Sequence, residues 1–551
     1  MNPVNSAREL AKVWSMSHAN SLDKYLVFNE AIDVIESSLH LMDSEAARLI
    51  SHLKSFKKDI KKNNVTSGNC ELIVPIATAL YELLDDKYIN FCKIYLEKEL
   101  IENDTTDLSL LKITVSSLLS ALIDKGSSIE SLFHLYKGVL AKDRNDNSYP
   151  FNKRLGLLFR IIKSESKEFK IAFSLTGITS KTSSIFPEKI GQISFHKNLD
   201  SFIARGKIKN KSFSTEHNSK KYAVTTVDEN DARHAGTLAY ERVCKTLDLI
   251  RFEFNNEPIK VSEEFVCLNE DATLKGRIFD IPKVVPNPVD VATIEVELTK
   301  LVGQVETLVN SAQISDANRD RIISSFRFFR YGSDTNIFEN KLVNWWTAIE
   351  YLTSTDKNSG NIGERVVKSI TPILCLHYTH KLLLATQKIL GELEYKTNGE
   401  DITTLDIVTF RGILDSEKNE ILEHTKNYEY INYHINSLIS TISSPKSLYL
   451  LIQSHKERLE LQLQRIYRAR CDIVHSAELL VSPALLCANL EFYLKQTLRS
   501  VLEIFITQRH LSSTKDFFRN ASFRLDLLLT DLNNNSSAEL DHQLGSKLIG
   551  F

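Results

Sequence analysis

The feature that most constrains the fold is a change of hydrophobic period along the chain. Apolar residues recur at three-to-four spacing through 25–53, 72–100 and 108–140, the pattern of amphipathic helices, and Ser127-Ser128-Ile129-Glu130 reads as a capping box opening another. Between about 150 and 300 that period gives way to short β-prone runs at 169–175, 189–196 and 222–227, punctuated by Gly, Pro and Ser. One long helix interrupts them. Asp228 stands where an N-cap would, ahead of an apolar stripe of Ala232, Ala235, Ala239, Val243, Leu247 and Ile250. The chain is extended again over 264–280, then enters Pro282-Lys283-Val284-Val285-Pro286-Asn287-Pro288, whose composition is that of a stiff linker and marks the main domain boundary.

Helical periodicity resumes over 291–331, 338–352, 362–393, 415–439, 448–480, 483–509 and 514–532, and from Asn533 onward the chain reads as a frayed tail. The expected protein is mainly α. It has a helical N-terminal region over 1–149 with a sensing or regulatory role, and a small α/β middle domain over 150–290. A C-terminal helical bundle follows over 291–511, then a last helix and flexible tail over 512–551.

A chain of 551 residues, 42% of them hydrophobic, has the material for several domains each with its own core. Its formal charge of -2 means that a nucleic acid would be held by a local basic patch rather than a global field. Cys70, Cys92, Cys244, Cys267, Cys375, Cys471 and Cys487 are odd in number and never spaced C-x-x-C. That argues against a disulfide framework or zinc knuckle and for reduced thiols in a cytoplasm. The first 16 residues lack the basic start and apolar run of a signal peptide, and the longest apolar stretch, 110–123, carries Lys112 and several serines. Neither export nor a membrane span is expected. The chain has no Gly-x4-Gly-Lys-Ser/Thr loop, dinucleotide glycine fingerprint or dense acidic cluster, which argues against an ATPase, a dehydrogenase or a metal-dependent nuclease. No cofactor is expected.

The strongest candidate for chemistry is Arg468-Ala469-Arg470-Cys471-Asp472-Ile473-Val474-His475. Cleaving RNA through its own 2′-hydroxyl needs a base for that proton, an acid for the departing 5′-oxygen, and positive charge on the pentacoordinate phosphorus. A histidine titrating near neutrality and the planar donor fork of an arginine supply these without a metal. One histidine does not easily serve as both base and acid, so a two-fold dimer that pairs two copies of the helix is expected on mechanistic grounds. On an ideal helix Arg468 shares a face with His475, while Arg470 points about 140° away. Asp472 lies one turn from His475, placed to hold the imidazole.

The surroundings of the motif sharpen this reading. Ile466-Tyr467-Arg468-Ala469-Arg470-Cys471-Asp472-Ile473-Val474-His475-Ser476 resembles the Tyr-Arg-x-Arg-Asn-x-Ile-Val-His block of the HEPN superfamily, particularly its Apea-like branch of bacterial antiphage and abortive-infection proteins. Upstream, Arg327-Phe328-Phe329-Arg330-Tyr331 and the segment from Leu342 to Leu352, with Trp345, Trp346, Ala348 and Glu350, resemble that family's second helix. The stretch 362–366, with Arg365, resembles the start of the next helix, and 227–252 is similar to the segment preceding the domain. The likeness covers about 220–510.

The resemblance implies a helical ribonuclease domain that dimerises face to face, uses Arg470 and His475 from both chains, and leaves cyclic phosphate ends. Arg468 becomes a phosphate-binding helper and Glu350 a supporting group bonded to the motif. The chain departs from the pattern at Cys471, where the family usually has Asn. The expected protein is therefore a cytoplasmic, metal-independent endoribonuclease of an antiphage (abortive infection) system. It would form a homodimer or higher oligomer, act on tRNA or other cellular RNA, answer to a phage-derived trigger, and have no membrane partner. The rival is a non-catalytic scaffold in which the same fold serves only RNA binding or dimerisation.

Other residues carry weaker signals. The run Arg205, Lys207, Lys209, Lys211, Lys220 and Lys221 reads as a basic loop able to follow an RNA backbone, although charged loops are usually just solvated. Trp345 and Trp346 fall inside an amphipathic pattern and read as core. His377 and His380 have one-turn spacing with Cys375 nearby, but no carboxylate completes a metal site.

Overall fold

A computed structural model describes residues 2–16, 19, 21–60, 65–102, 107–141, 150–163, 166–178, 187–199, 221–253, 259–268, 277–281, 302–308, 310, 314–354, 361–476, 483–507 and 513–534. The protein is mainly α-helical with a small sheet. It divides into two compact units, Met1–Lys283 and Val284–Phe551, and the division falls inside the proline-rich run 282–288.

Among the described residues the first unit begins with the α-helices α1 (Pro3–Ser15), α2 (Ser21–Ser37), α3 (Ser44–Ser55), α4 (Ser67–Glu97), α5 (Leu108–Asp124), α6 (Ile129–Leu135) and α7 (Phe151–Ile162). Their starts are set by side-chain caps: the carboxylates of Asp43 and Asp107 and the hydroxyls of Thr66 and Ser128 accept first-turn N–H groups. At the expected capping box, Ser128 Oγ accepts the Ser131 N–H at 3.1 Å. The apolar stripes converge on one core that includes Trp14, Phe28, Ile32, Leu80 and Tyr88. Leu155 and Phe159 of α7 are buried in the same core, so the helical part runs past 149, where the sequence separates it from the middle domain.

Six antiparallel strands follow: β1 (Lys167–Thr176), β2 (Lys189–Ile190), β3 (Ile193–His196), β4 (Lys221–Glu229), β5 (Lys260–Leu268) and β6 (Arg277–Asp280), in the order β2-β3-β4-β1-β5-β6. Central β1 pairs Ile171 with Thr225 on one side and Phe173 with Phe265 on the other. Ile171 to Leu175 are all buried, as a strand covered on both faces requires. Helix α8 (Ala232–Glu253) lies against the sheet so closely that a Cβ on Gly236 would stand 2.1 Å from the Phe265 ring. The strand β4 runs through Asp228, and it is Asp231 Oδ1 that accepts the Arg233 N–H at 2.9 Å to start α8.

The second unit contains α9 (Asp316–Ser333), α10 (Phe338–Thr353), α11 (Ile362–Leu376), α12 (Tyr378–Glu392), α13 (Ile407–Ser416), α14 (Lys418–His424), α15 (Glu429–Ile442), α16 (Pro445–Cys471), α17 (Pro483–Thr507) and α18 (Thr514–Asn534). The large core draws on α9, α10, α11, α16, α17 and α18, with Trp345, Trp346, Ile370, Leu463, Leu494 and Phe517 at its centre. Each such fully buried side chain contributes roughly 1.5–3 kcal/mol. Helix α18, which the sequence sets apart with the tail, buries Phe517, Ala521, Leu525 and Leu528 in that same core. The frayed tail read from residue 535 onward lies outside the described residues.

Helices α12 to α15 form a second, smaller core around Leu390, Phe410, Leu414 and Ile439, inserted between α11 and α16. It includes a hairpin of β7 (Lys396–Thr397) and β8 (Glu400–Asp401) whose two turn residues, Asn398 and Gly399, both have positive φ. That is the Asn-Gly signature of a tight primed turn, present in the sequence but not used there. The helix expected over 362–393 is broken at His377, and that expected over 448–480 leaves α-geometry after Cys471.

Candidate functional site

Helix α16 ends in a widened turn, Asp472–Ser476, closed by i→i+5 bonds. This alters the geometry of the motif. On an ideal α-helix the fifth residue along is about 140° away, whereas in a wider turn five residues come closer to one full circle. His475 therefore swings toward the side of the helix that carries Arg470, away from the alignment with Arg468 that an ideal helix gives. His475 and Val474 are exposed, Val474 at 47%. Asp472 opens the turn half-buried, its backbone N–H donating to the carbonyls of Ala469 and Arg468. Arg468, also half-buried, is two positions from Arg470 and so on another face of α16.

Arg470 is built into the bundle from below. Trp346, fully buried in α10, donates its indole N–H to Glu350 Oε1 at 2.6 Å, one turn along the same helix. Glu350 Oε1 in turn lies 3.8 Å from Arg470 Nη2, both side chains only about one-fifth exposed at 18% and 20%. A single carboxylate oxygen thus receives an indole N–H and faces a guanidinium. Arg470 Nε is buried with no hydrogen-bond partner among the described residues, and the guanidinium meets Glu350 through Nη2 alone. A phosphate oxygen is the kind of acceptor that would complete it.

Tyr467, one turn before Arg470, completes the group. Its ring lies 5.5 Å from that of Trp346, and α11 approaches it so closely that a Cβ on Gly363 would meet the ring at 2.5 Å. Burial pushes the Tyr467 hydroxyl pKa up, and the neighbouring Cys471 thiol and Glu350 carboxylate push the same way while the Arg470 guanidinium opposes them. Cys471, at the position where the resemblance leads one to expect Asn, is thus a neighbour of the tyrosine rather than an isolated thiol.

The structure therefore brings Glu350 and Arg470 together, and sets His475 on the exposed turn that follows. Sequence reasoning quoted Tyr467 within the motif but gave neither it nor Gly363 a role, and took Trp346 as core. The Trp346–Glu350 spacing of four and the Tyr467–Arg470 spacing of three carried the signal.

No protein family, no curated protein and no solved structure was found to match the chain.

The remaining candidates lie elsewhere. Lys207, Lys209, Lys211 and Lys220 fall outside the described residues. Lys221 opens β4 opposite Leu175 and is 6% exposed, so it belongs to the sheet rather than to a solvated loop. Burial lowers its pKa. Trp345 is core, its indole N–H donating to the Phe329 carbonyl at 3.0 Å.

His377 hydrogen-bonds Ser500 Oγ at 3.0 Å, and burial lowers its pKa to about 4. His380 is lowered by burial as well. Among the described residues no three His, Cys, Asp or Glu side chains gather where a metal ion would sit, and no helix is long and apolar enough to cross a membrane.

Proposed function

We propose that this protein is a metal-independent endoribonuclease whose active centre is Arg470 and His475. The observation that supports the reading best is the Arg470 guanidinium, set against Glu350, which Trp346 holds, at the end of α16, with an exposed imidazole on the widened turn beyond it. In the reaction a neutral imidazole takes the proton of the substrate 2′-hydroxyl, and the 2′-oxygen bonds to phosphorus. The bond from phosphorus to the 5′-oxygen breaks, and an imidazolium protonates the leaving oxygen. The products are a 2′,3′-cyclic phosphate and a 5′-hydroxyl, so no water or metal is consumed. Arg470 neutralises the charge that builds on the non-bridging oxygens.

Base and acid are one His475 from each of two chains in a homodimer. By resemblance the setting is antiphage defence in a bacterial cytoplasm: a phage-derived trigger releases the activity, and the first unit restrains or senses. Expressing the wild type and His475→Ala and mapping RNA ends tests the proposal. New cyclic-phosphate ends in the wild type alone support it. Identical ends from both proteins favour the scaffold reading.

A further inference from the structure

The second unit carries a group of exposed rings and cations that the proposed cleavage does not use. Helices α9 and α10 pack as a pair: Ser325 Oγ donates to the Ala348 carbonyl at 2.9 Å, and the Phe329 ring stacks on Trp345 at 6.1 Å. These contacts fix the inward side of α9, where Ile322, Ser325 and Gly332 are buried. The outward side carries Arg327, Phe328, Arg330 and Tyr331, which fall within an arc of about 160° on a helix of 3.6 residues per turn.

Direct contacts join these side chains into one surface. The Phe328 ring lies stacked on that of Tyr351 from α10, centroids 5.2 Å apart and planes 26° from parallel, and meets the Tyr331 ring edge-on at 5.9 Å. The Arg327 guanidinium lies 5.8 Å from the centre of the Phe328 ring, and the Arg330 guanidinium 5.2 Å from that of Tyr331. Tyr331 and Tyr351 are 44% and 40% exposed, and both arginines are exposed as well. Residues 321–333 contain no Asp or Glu. The acids that bound the surface are Asp320 toward the start of α9 and Asp334 at its C-cap, and among the described residues neither arginine is paired with a carboxylate. The surface also leads toward Arg470. On α10, Trp346 and Glu350 meet α16 while Trp345 and Ala348 meet α9, so Tyr351, the residue after Glu350, stands on the outer arc between the two helices.

We propose that this surface holds the unpaired RNA that flanks the phosphate at Arg470, with bases stacked on Tyr331 and Tyr351 and backbone phosphates met by Arg327 and Arg330. A strand that offers flat bases and an anionic backbone at once matches rings with guanidinium groups beside them. A duplex keeps its bases stacked on one another and meets only the arginines. The substrate class is therefore single-stranded RNA, held without regard to sequence because every base has a flat face. The direction toward Arg470 rests on the nuclease reading, whereas binding to the surface does not require cleavage.

The test is fluorescence anisotropy of the full chain with a labelled 2′-O-methyl oligouridine of about 12 nucleotides, within the usual span of such grooves. The 2′-O-methyl group removes the nucleophile, so binding is read without cleavage. Tyr331→Ala/Tyr351→Ala should weaken binding roughly 10- to 100-fold. Tyr331→Phe/Tyr351→Phe, which keeps both rings, should bind as the wild type does. Arg327→Glu/Arg330→Glu should weaken binding and flatten its salt dependence by about two phosphate contacts. Wild-type affinity in the alanine pair, an equal loss in the phenylalanine pair, no binding by the wild type, or equal affinity for a duplex of the same length would overturn the proposal. So would dissociation of a dimer by the alanine pair, which would make the surface a contact between two copies of the chain. Binding that follows the expected pattern in a wild type that leaves no cyclic-phosphate ends would remove the nuclease reading and keep the RNA surface.

Discussion

Two histidines, one within helix α16 and one just past its end, are treated by the protein in opposite ways. His455, in its middle, lies flat against Tyr378 with ring centroids 3.5 Å apart, and burial, aided by Arg458 and Lys381, lowers its pKa to about 3. Half-buried against that ring, it is held in its neutral form. His475, past the end of the same helix, is exposed on a widened turn, five residues after the arginine that meets Glu350. Histidine content and spacing alone do not separate the two. What separates them is where the helix is buried and where its α-geometry stops.

The largest effect expected from this contrast is on catalysis. His475→Ala should lower RNA cleavage by about 10²- to 10⁴-fold, the usual worth of a positioned acid or base, with the melting temperature unchanged because the side chain is exposed. His455→Ala should do the reverse. It opens a gap beside Tyr378 and costs stability, with cleavage per folded molecule preserved. If the two variants behave alike, the contrast fails.

Next comes acid sensitivity. The folded pKa of His377, about 4, lies below its ordinary 6.5, and that of His455 is lower still. Between those values the unfolded chain binds more protons than the folded one, so stability is full above about pH 6.5 and falls as pH drops toward 4. A tenfold difference in proton affinity is worth about 1.4 kcal/mol, so His377 alone contributes a loss on the order of 3 kcal/mol. His380 and Arg524 beside His377 add cationic repulsion in the same direction. Denaturant titrations from pH 7 to pH 4 should show the second unit weakening, and His455→Phe, which keeps a flat ring against Tyr378, should make the decline shallower.

A smaller effect sharpens the support of Arg470. Gly363→Ala drives a methyl into the Tyr467 ring, an overpacking worth about 1–3 kcal/mol. It should lower both the melting temperature and cleavage, since Tyr467 shares its surroundings with Arg470 and Cys471. Smallest of all, Glu350→Gln retains an acceptor for the Trp346 indole but removes the charge beside Arg470. The cost in stability should stay near 1 kcal/mol, read by denaturant titration, while the Michaelis constant for RNA shifts more than the fold does.

Much of the architecture was legible because it rests on local period. The helical N-terminal part, the β-prone middle and the helical second unit all follow from residue spacing, and the stripe through Ala235, Ala239, Val243 and Leu247 is the buried face of α8. What escaped depended on long-range contact. Nothing local says that Leu155 and Phe159 belong with Trp14 and Tyr88, or that Phe517 and Leu525 close the core around Trp345 and Trp346. The break at His377 has no Gly or Pro to announce it. It coincides instead with a side chain drawn into a hydrogen bond with Ser500 on α17.

At the candidate site, helix spacing alone favours Arg468 as the partner of His475, and it is the resemblance that singles out Arg470 and Glu350. The departure from α-geometry at Asp472, which changes the direction in which His475 leaves the helix, was not readable from a sequence that has no helix breaker there. Tyr467 escaped for a related reason. Its importance comes from Trp346 on α10 and Gly363 on α11, two helices far away in the chain.

The measurement that bears most directly on the central claim is the chemistry of RNA ends produced by purified wild type and His475→Ala in the presence of a strong chelator. The account predicts 2′,3′-cyclic phosphate and 5′-hydroxyl ends from the wild type, undiminished by chelation, and none from the variant. Ends that persist in His475→Ala, or that vanish when divalent metal is removed, would contradict it.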